Sequence, residues 1–167
     1  MTNVNSFDSP AHRSLILFFR LAMGWTFLYA GVTQTFIDPN WTAASFLAHT
    51  KTFHFIYGPM VGSSLMPVID FCVKWGHLLI GLSLVSGLMV RVSSVFGILL
   101  MLVYWTAHLD FPYVESHVNF LLDYHIVYAG VIVYLIAIRA GHVFGLDAYA
   151  DKLDLIGENP FLRPLFN

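Results

Sequence analysis

Charge is scarce in this chain. Only 11% of its 167 residues are Asp, Glu, Lys or Arg, against roughly a quarter in soluble domains. So little polar surface cannot cover a globule in water, which excludes a soluble enzyme, a disordered chain and a free nucleic-acid binder. Cysteine is scarcer still. Cys72 stands alone, so an internal disulfide, a CxxC redox pair and a thiolate metal cage are impossible. No GxGxxG, P-loop, HExxH or GxSxG string occurs, which argues against nucleotide chemistry. A net charge of −2 names no polyionic partner.

What is present is apolar: 57% hydrophobic and 16% aromatic, with a mean hydropathy of +0.71. The expectation is an all-α integral membrane protein, one domain over residues 1–167, whose first partner is the lipid bilayer. Four stretches are expected to span as helices: Leu15–Ile37, Val68–Val90, Val92–His108 and Val118–Ile138. The first is 23 residues long, and at about 1.5 Å per residue it crosses a core of about 30 Å. Thirteen mostly polar residues precede Ser14, and the stretch is longer than a signal-peptide core, so it is expected to be retained.

The connection Asp38–Pro67 is long for a bundle. Ala43, Phe46, Leu47, Phe53 and Tyr57 recur near helical spacing, which predicts an interfacial or re-entrant helix ended by Gly58-Pro59, with Pro67 opening the second span. A tight turn at Arg91 makes spans two and three an antiparallel hairpin. Asp147–Ile156 reads as a short amphipathic helix capped by Asp147 and stopped by Gly157 and Pro160. Arg13, Arg20, Arg91, Arg139, Lys152 and Arg163 fall towards one side of this topology, Lys51 and Lys74 towards the other. By the positive-inside rule, both termini are expected in the cytoplasm of a cell-membrane protein.

That topology gathers polar residues at the outer end: Gln34, Asp38, Asp70, Lys74, His77, Tyr104, His108, Asp110, Asp123 and His125. His49, His54 and His117 join them, leaving only His12 and His142 on the inner side. Ionisable groups within a membrane normally face the bundle interior or a wet cavity, so an outward-facing polar pocket is expected. Arg20, Gly24, Phe27, Gly31, Gln34 and Asp38 share one face of helix one. Asp70, Lys74, His77 and Gly81 share a face of helix two, where Asp70 and Lys74 are spaced to pair. On a regular fourth helix Asn119 and Asp123 share a face, whereas Asp123 and His125 diverge by about 200°, so one of that pair is structural. The plainer alternative is interfacial: Lys74, His49, His54 and His117 suit solvation among headgroups, and Tyr or Trp at helix ends suits belt anchoring.

Three chemistries fit the pocket. A quinone site needs an aromatic slot with His, Tyr, Asp or Arg groups that bond the carbonyl oxygens and move protons. A b-type haem would use His77 and His125 as axial ligands. A mononuclear iron or copper site would use His108, Asp123 and His125, although their spacing matches no strong metal motif.

The string Arg20-Leu-Ala-Met-Gly24-Trp-Thr-Phe27-Leu-Tyr-Ala-Gly31 resembles the first helix of the DoxX/DoxD family of small four-helix membrane proteins. Gly81-Leu-Ser-Leu-Val-Ser-Gly87-Leu-Met-Val-Arg91, Asn119-Phe-Leu-Leu-Asp123 and Gly145-Leu-Asp147 are similar to its later segments. In the DoxD branch the resemblance implies a quinone-reactive subunit of a thiosulfate:quinone oxidoreductase, working with a partner subunit and passing electrons from thiosulfate to membrane quinone. On that reading His77, His108, Asp123 and His125 are the catalytic candidates. Arg20, Gln34 and Tyr104 would face quinone, and Lys74 would attract thiosulfate; no resident metal is favoured. The competing class is a non-catalytic accessory subunit that packs against other subunits of a larger respiratory or oxidase complex through its small-residue faces.

Overall fold

The computed structural model describes residues 9–153, which are mostly helical. Helix α1 (Pro10–Val32) starts where the Ser9 hydroxyl accepts from the His12 N–H at 3.2 Å and Pro10 occupies the first helical position. It continues into a π-turn, Thr33–Ile37, closed by the Asp38 N–H donating to the Thr33 carbonyl at 2.8 Å. After two short helices, α2 (Ala44–Leu47) and α3 (His54–Tyr57), come α4 (Met66–Ser86) and α5 (Val90–His108). A three-stranded antiparallel meander follows: β1 (Leu109–Asp110), β2 (Tyr113–Val114) and β3 (Ser116–Phe120). Helix α6 (Tyr124–Ala137) and a single turn, α7 (Asp147–Ala150), complete the described chain.

α1 with its π-turn, α4 and α5 are each long and apolar enough to cross a membrane. α6 is apolar too, but its 14 residues span about 21 Å, short of a bilayer core of about 30 Å. The expected helix 118–138 is therefore corrected at its start. Ser116–Phe120 pairs with Tyr113–Val114 instead, and the strand is bracketed by Glu115 and Leu121, whose φ angles of 59° and 57° no continuous helix adopts. Asn119 consequently shares no helix face with Asp123.

Three further expectations change. The interfacial helix breaks in two because Thr50 and Thr52 turn to other partners: the Thr50 hydroxyl donates to the Leu47 carbonyl, while Thr52 bonds Leu109 and Phe111 of the meander. The α4–α5 turn is Gly87-Leu88-Met89, and Arg91 already lies in α5; Gly87 supplies the left-handed cap at φ 72°. Asp147 is not the cap of α7 but its first residue, and its carboxylate is used elsewhere. The rest of that expected helix to Ile156, its stop at Gly157 and Pro160, and Arg163 lie outside the described residues.

The α1–α4 interface is the tightest in the bundle. Gly31 lies against the backbone of Leu78, and Gly81 against that of Leu28, so neither site has room for a Cβ. Such reciprocal glycines let two backbones approach where lipid supplies no hydrophobic drive for association. Arg20, Gly24, Phe27 and Gly31, expected on one face, are all buried there; Asp38, expected beside them, is exposed. Phe18, Trp25, Phe71, Phe96 and Val127 are exposed on the outside, as lipid contact requires.

Candidate functional site

At the end of the bundle that carries the meander, α1, α4, α5 and α6 enclose a cavity of about 230 Å³. Gln34, His77, Tyr104 and His125 line it together with Phe27 and Met101. The volume lies below the roughly 300–1,000 Å³ of ordinary small-molecule sites, so it suits one ring rather than a macrocycle. His77, on α4, donates from Nδ1 to the Val73 carbonyl of its own helix at 2.9 Å, which leaves the Nε2 lone pair for a ligand. The π-turn carries Gln34, whose side chain meets the Tyr104 hydroxyl. Its carbonyl oxygen Oε1 is buried without a hydrogen-bond partner, as are the neighbouring Thr33 and Thr35 hydroxyls.

Asp123 and His125 form the site's shortest ionisable contact. Asp123 precedes α6 in an extended conformation, so the helical angle expected between the two does not apply. Its Oδ1 accepts from the His125 backbone N–H at 3.1 Å, and its Oδ2 accepts from the His125 ring Nδ1 at 2.6 Å. Both side chains are buried. The carboxylate thus caps the helix and fixes the imidazole tautomer at once, leaving Nε2 as the unprotonated nitrogen. The expectation that only one of the pair points inwards is corrected.

An aromatic stack supports these groups. Tyr104 lies parallel to His125, with ring centroids 5.6 Å apart and planes at 5°, and it also contacts His77 at 5.7 Å. His108 stacks on His125 at 5.2 Å, and Phe46 of α2 covers both Tyr104 and His108 at 5.3 and 5.8 Å. His108 thus backs the cavity rather than lining it, donating from Nδ1 to the Tyr104 carbonyl at 2.8 Å.

Two sequence candidates stand apart. Arg20 lies at the opposite end, about 21 Å along α1 from Gln34. It is 1% exposed, and its guanidinium donates to the carbonyls of Ala140, Val143 and Phe144 at 2.7, 2.8 and 3.1 Å. With those bonds made it ties α1 to the segment after α6 and faces no ring, which corrects its expected place beside Gln34 and Tyr104. Asp147 works beside it, accepting from the Met89 and Val90 N–H groups at 2.6 and 3.2 Å. Burial pushes the Asp147 carboxyl above the ordinary carboxylate range, while those two donors pull it back.

Lys74 remains near the pocket end but does not pair with Asp70. It donates to the Pro39 carbonyl at 3.4 Å and lies over the Trp41 ring, while Asp70 accepts from the Ala43 N–H at 2.8 Å. Both residues anchor the α1–α4 connection. Thr26, Ala30, Tyr124 and Tyr128 complete the cavity lining and were absent from the sequence candidates. Their signal was the spacing of Tyr124 and Tyr128 one turn apart around His125, legible only once α6 is known to start at Tyr124.

The haem and metal alternatives fare poorly against this geometry. A macrocycle held by His77 and His125 needs far more room than the cavity offers and would displace Tyr104, which touches both. Among the described residues no group of three His, Cys, Asp or Glu side chains could hold a metal ion. His125 Nδ1 and Asp123 Oδ2 are turned to each other instead.

Three helices long and apolar enough to cross a bilayer define a multi-pass membrane protein, with a ring-sized cavity near one end of its bundle. The DoxX family matches residues 15–109, more than half of the chain, and the chain belongs to that family. The matched part carries Gln34, His77 and Tyr104, whereas Asp123 and His125 come from beyond it. No curated protein and no solved structure matched the chain.

Proposed function

We propose that this chain is the quinone-reactive subunit of a membrane oxidoreductase of DoxD type, passing electrons from a small reduced-sulfur donor such as thiosulfate to membrane quinone. One observation carries the reading: an aromatic-walled, ring-sized cavity with a buried floor holds hydrogen-bonding atoms without partners of their own. The Nε2 atoms of His77 and His125 and Oε1 of Gln34 are acceptors with capacity left, which suits the two hydroxyls of the quinol; a quinone carbonyl is received where a histidine takes up a proton at Nε2. Quinone supplies the two-electron acceptor chemistry; oxidation of two thiosulfates to one tetrathionate releases two electrons, and two protons complete the quinol.

The residues then have distinct tasks. Phe27, Met101 and Tyr104 hold a flat ring and exclude water. His77 and Gln34 orient it through α4 and α1. His125 takes up a proton at Nε2, with Asp123 stabilising the imidazolium through Nδ1, and passes it to the ring as that is reduced, a general-acid role worth about 10²–10⁴-fold. His108 positions the His125 ring. Lys74 stands at the rim of the same end, where a cation raises the local concentration of a dianion. α6 serves as the fourth span of the bundle, with the meander filling the outer membrane interface. The basic residues Arg13, Arg91, Arg139 and Lys152 keep both termini cytoplasmic.

Titration of the detergent-purified protein with decylubiquinone, followed by tryptophan fluorescence, tests the site directly. Saturable binding that weakens in His77→Ala and Gln34→Ala supports the reading, and a lack of binding overturns it. Thiosulfate-dependent quinone reduction in membranes with and without the chain tests the donor. The accessory-subunit reading draws on a different observation, the apolar groove of about 690 Å³ between α4 and α5, which suits a neighbouring helix. It requires that Asp123→Asn and His77→Ala leave the activity of the intact complex unchanged.

A further inference from the structure

The cavity has one polar, well-covered side and one open side, and the open side faces the bilayer. Its floor is buried: Phe27, His77, Met101 and His125 are 1%, 6%, 6% and 4% exposed. Its rim is not. Thr26 on α1 and Tyr124 on α6 are exposed, and Ala30 and Tyr128, one turn along from each, are half-buried. These four residues form two facing pillars along the α1–α6 seam.

The other boundaries are closed. α1 and α4 meet backbone to backbone at Gly31 and Gly81. On the aqueous side Phe46 covers Tyr104 and His108, and the Asp123 carboxylate is turned inwards onto His125. Depth settles what lies outside the seam. Thr26 and Ala30 fall within the apolar span Pro10–Ile37, about 17 Å and 11 Å along the helix from its outer end. Trp25, Tyr29 and Val127 beside the rim are exposed apolar side chains, 64%, 60% and 61% open. Of the rim hydroxyls, Thr26 Oγ1 donates to the Ala22 carbonyl of its own helix at 3.0 Å, so it needs no water.

We propose that the ligand reaches this cavity sideways from the hydrocarbon, through the seam between α1 and α6, with Thr26, Ala30, Tyr124 and Tyr128 as the doorway. This rests on the quinone reading and sharpens it. The cavity admits the ring, and an isoprenoid tail stays in the seam among lipid chains. A charged donor is kept out, so donor and acceptor use separate places on the protein.

Photolabelling in phosphatidylcholine vesicles with an azido-ubiquinone carrying a decyl tail tests the doorway. Labels are expected on the peptides holding Thr26–Ala30 and Tyr124–Tyr128. Ala30→Trp or Thr26→Trp, each checked for an unchanged melting temperature, should lower labelling of the His77 and His125 peptides about tenfold, as expected when a bulky ring obstructs a ring-sized site. Phe18→Trp, which puts the same bulk on a lipid-facing position of α1 away from the seam, should leave it unchanged. Labelling of the His77 peptide that survives both seam tryptophans would overturn the lateral route while keeping the quinone site. No labelling anywhere in the bundle removes the quinone site and its doorway together.

Discussion

The two ends of this bundle both bury charge, and they do so to opposite purposes. At the end away from the meander Arg20 and Asp147 are used on backbone: three carbonyls for the guanidinium and two N–H groups for the carboxylate. Arg20 Nε, Ser94 Oγ and Asp151 Oδ1 are left over there. At the meander end the histidines use Nδ1 on the protein and keep Nε2, and Gln34 keeps its carbonyl oxygen. Buried polar groups are costly, so their surplus hydrogen-bonding capacity is informative. Arg20 and Asp147 join segments of backbone, whereas on the proposed reading the acceptors at the meander end are kept for a ligand.

The sharpest way to break this contrast is Arg20→Ala. It strands three buried carbonyls and should cost about 3–5 kcal/mol, read as a large fall in melting temperature in detergent. Decylubiquinone affinity per folded molecule should stay the same; if it disappears while the protein remains folded, the two ends are not separate. Asp123→Asn acts at the other end and should spare stability, because Asn caps a helix as well as Asp does. Turnover in the assembled complex should fall about 10²–10⁴-fold with ring binding retained. Equal losses of melting temperature and activity would reduce Asp123 to architecture.

Between these lies Gly81→Ala, which wedges α1 from α4 near both networks and should cost about 1–3 kcal/mol. Lys74→Ala is expected to be the mildest change. It should shift stability by no more than about 0.5 kcal/mol and raise the apparent KM for thiosulfate several-fold, an effect that added salt erases. A salt-independent change would place the donor in direct contact with Lys74.

Much of this was legible in the sequence, and the failures have physical causes. The first three spans follow from apolar runs whose length the bilayer dictates, and the buried face Arg20–Gly24–Phe27–Gly31 follows from helical spacing. Gathering Gln34, His77, Tyr104 and His125 needed only the antiparallel order of the helices. The start of α6 was not legible, because Val118–Leu122 is apolar enough for a helix while pairing with Tyr113–Val114 makes it a strand. That one misplacement separated Asp123 from His125 on paper, though they bond at 2.6 Å. Arg20 was placed on the correct face but given the wrong task. Helical spacing gives a direction and not a partner, and its partners lie 120 to 124 residues away.

The π-turn at the end of α1 carries a consequence best put as phase. A π-turn holds one residue more than the α-helix needs, and here it spans Thr33–Ile37. The helix up to Val32 therefore keeps the rotational phase of Phe27 and Gly31, while the chain beyond the turn is rotated by about 100°. Phe36, Ile37 and Asp38 accordingly stand exposed. A single inserted codon at this point would have been enough to separate the helix that builds the cavity from the chain that leaves it. Insertions elsewhere in α1 would have rotated the glycine face off α4, so this is the place where the helix tolerates a change of length.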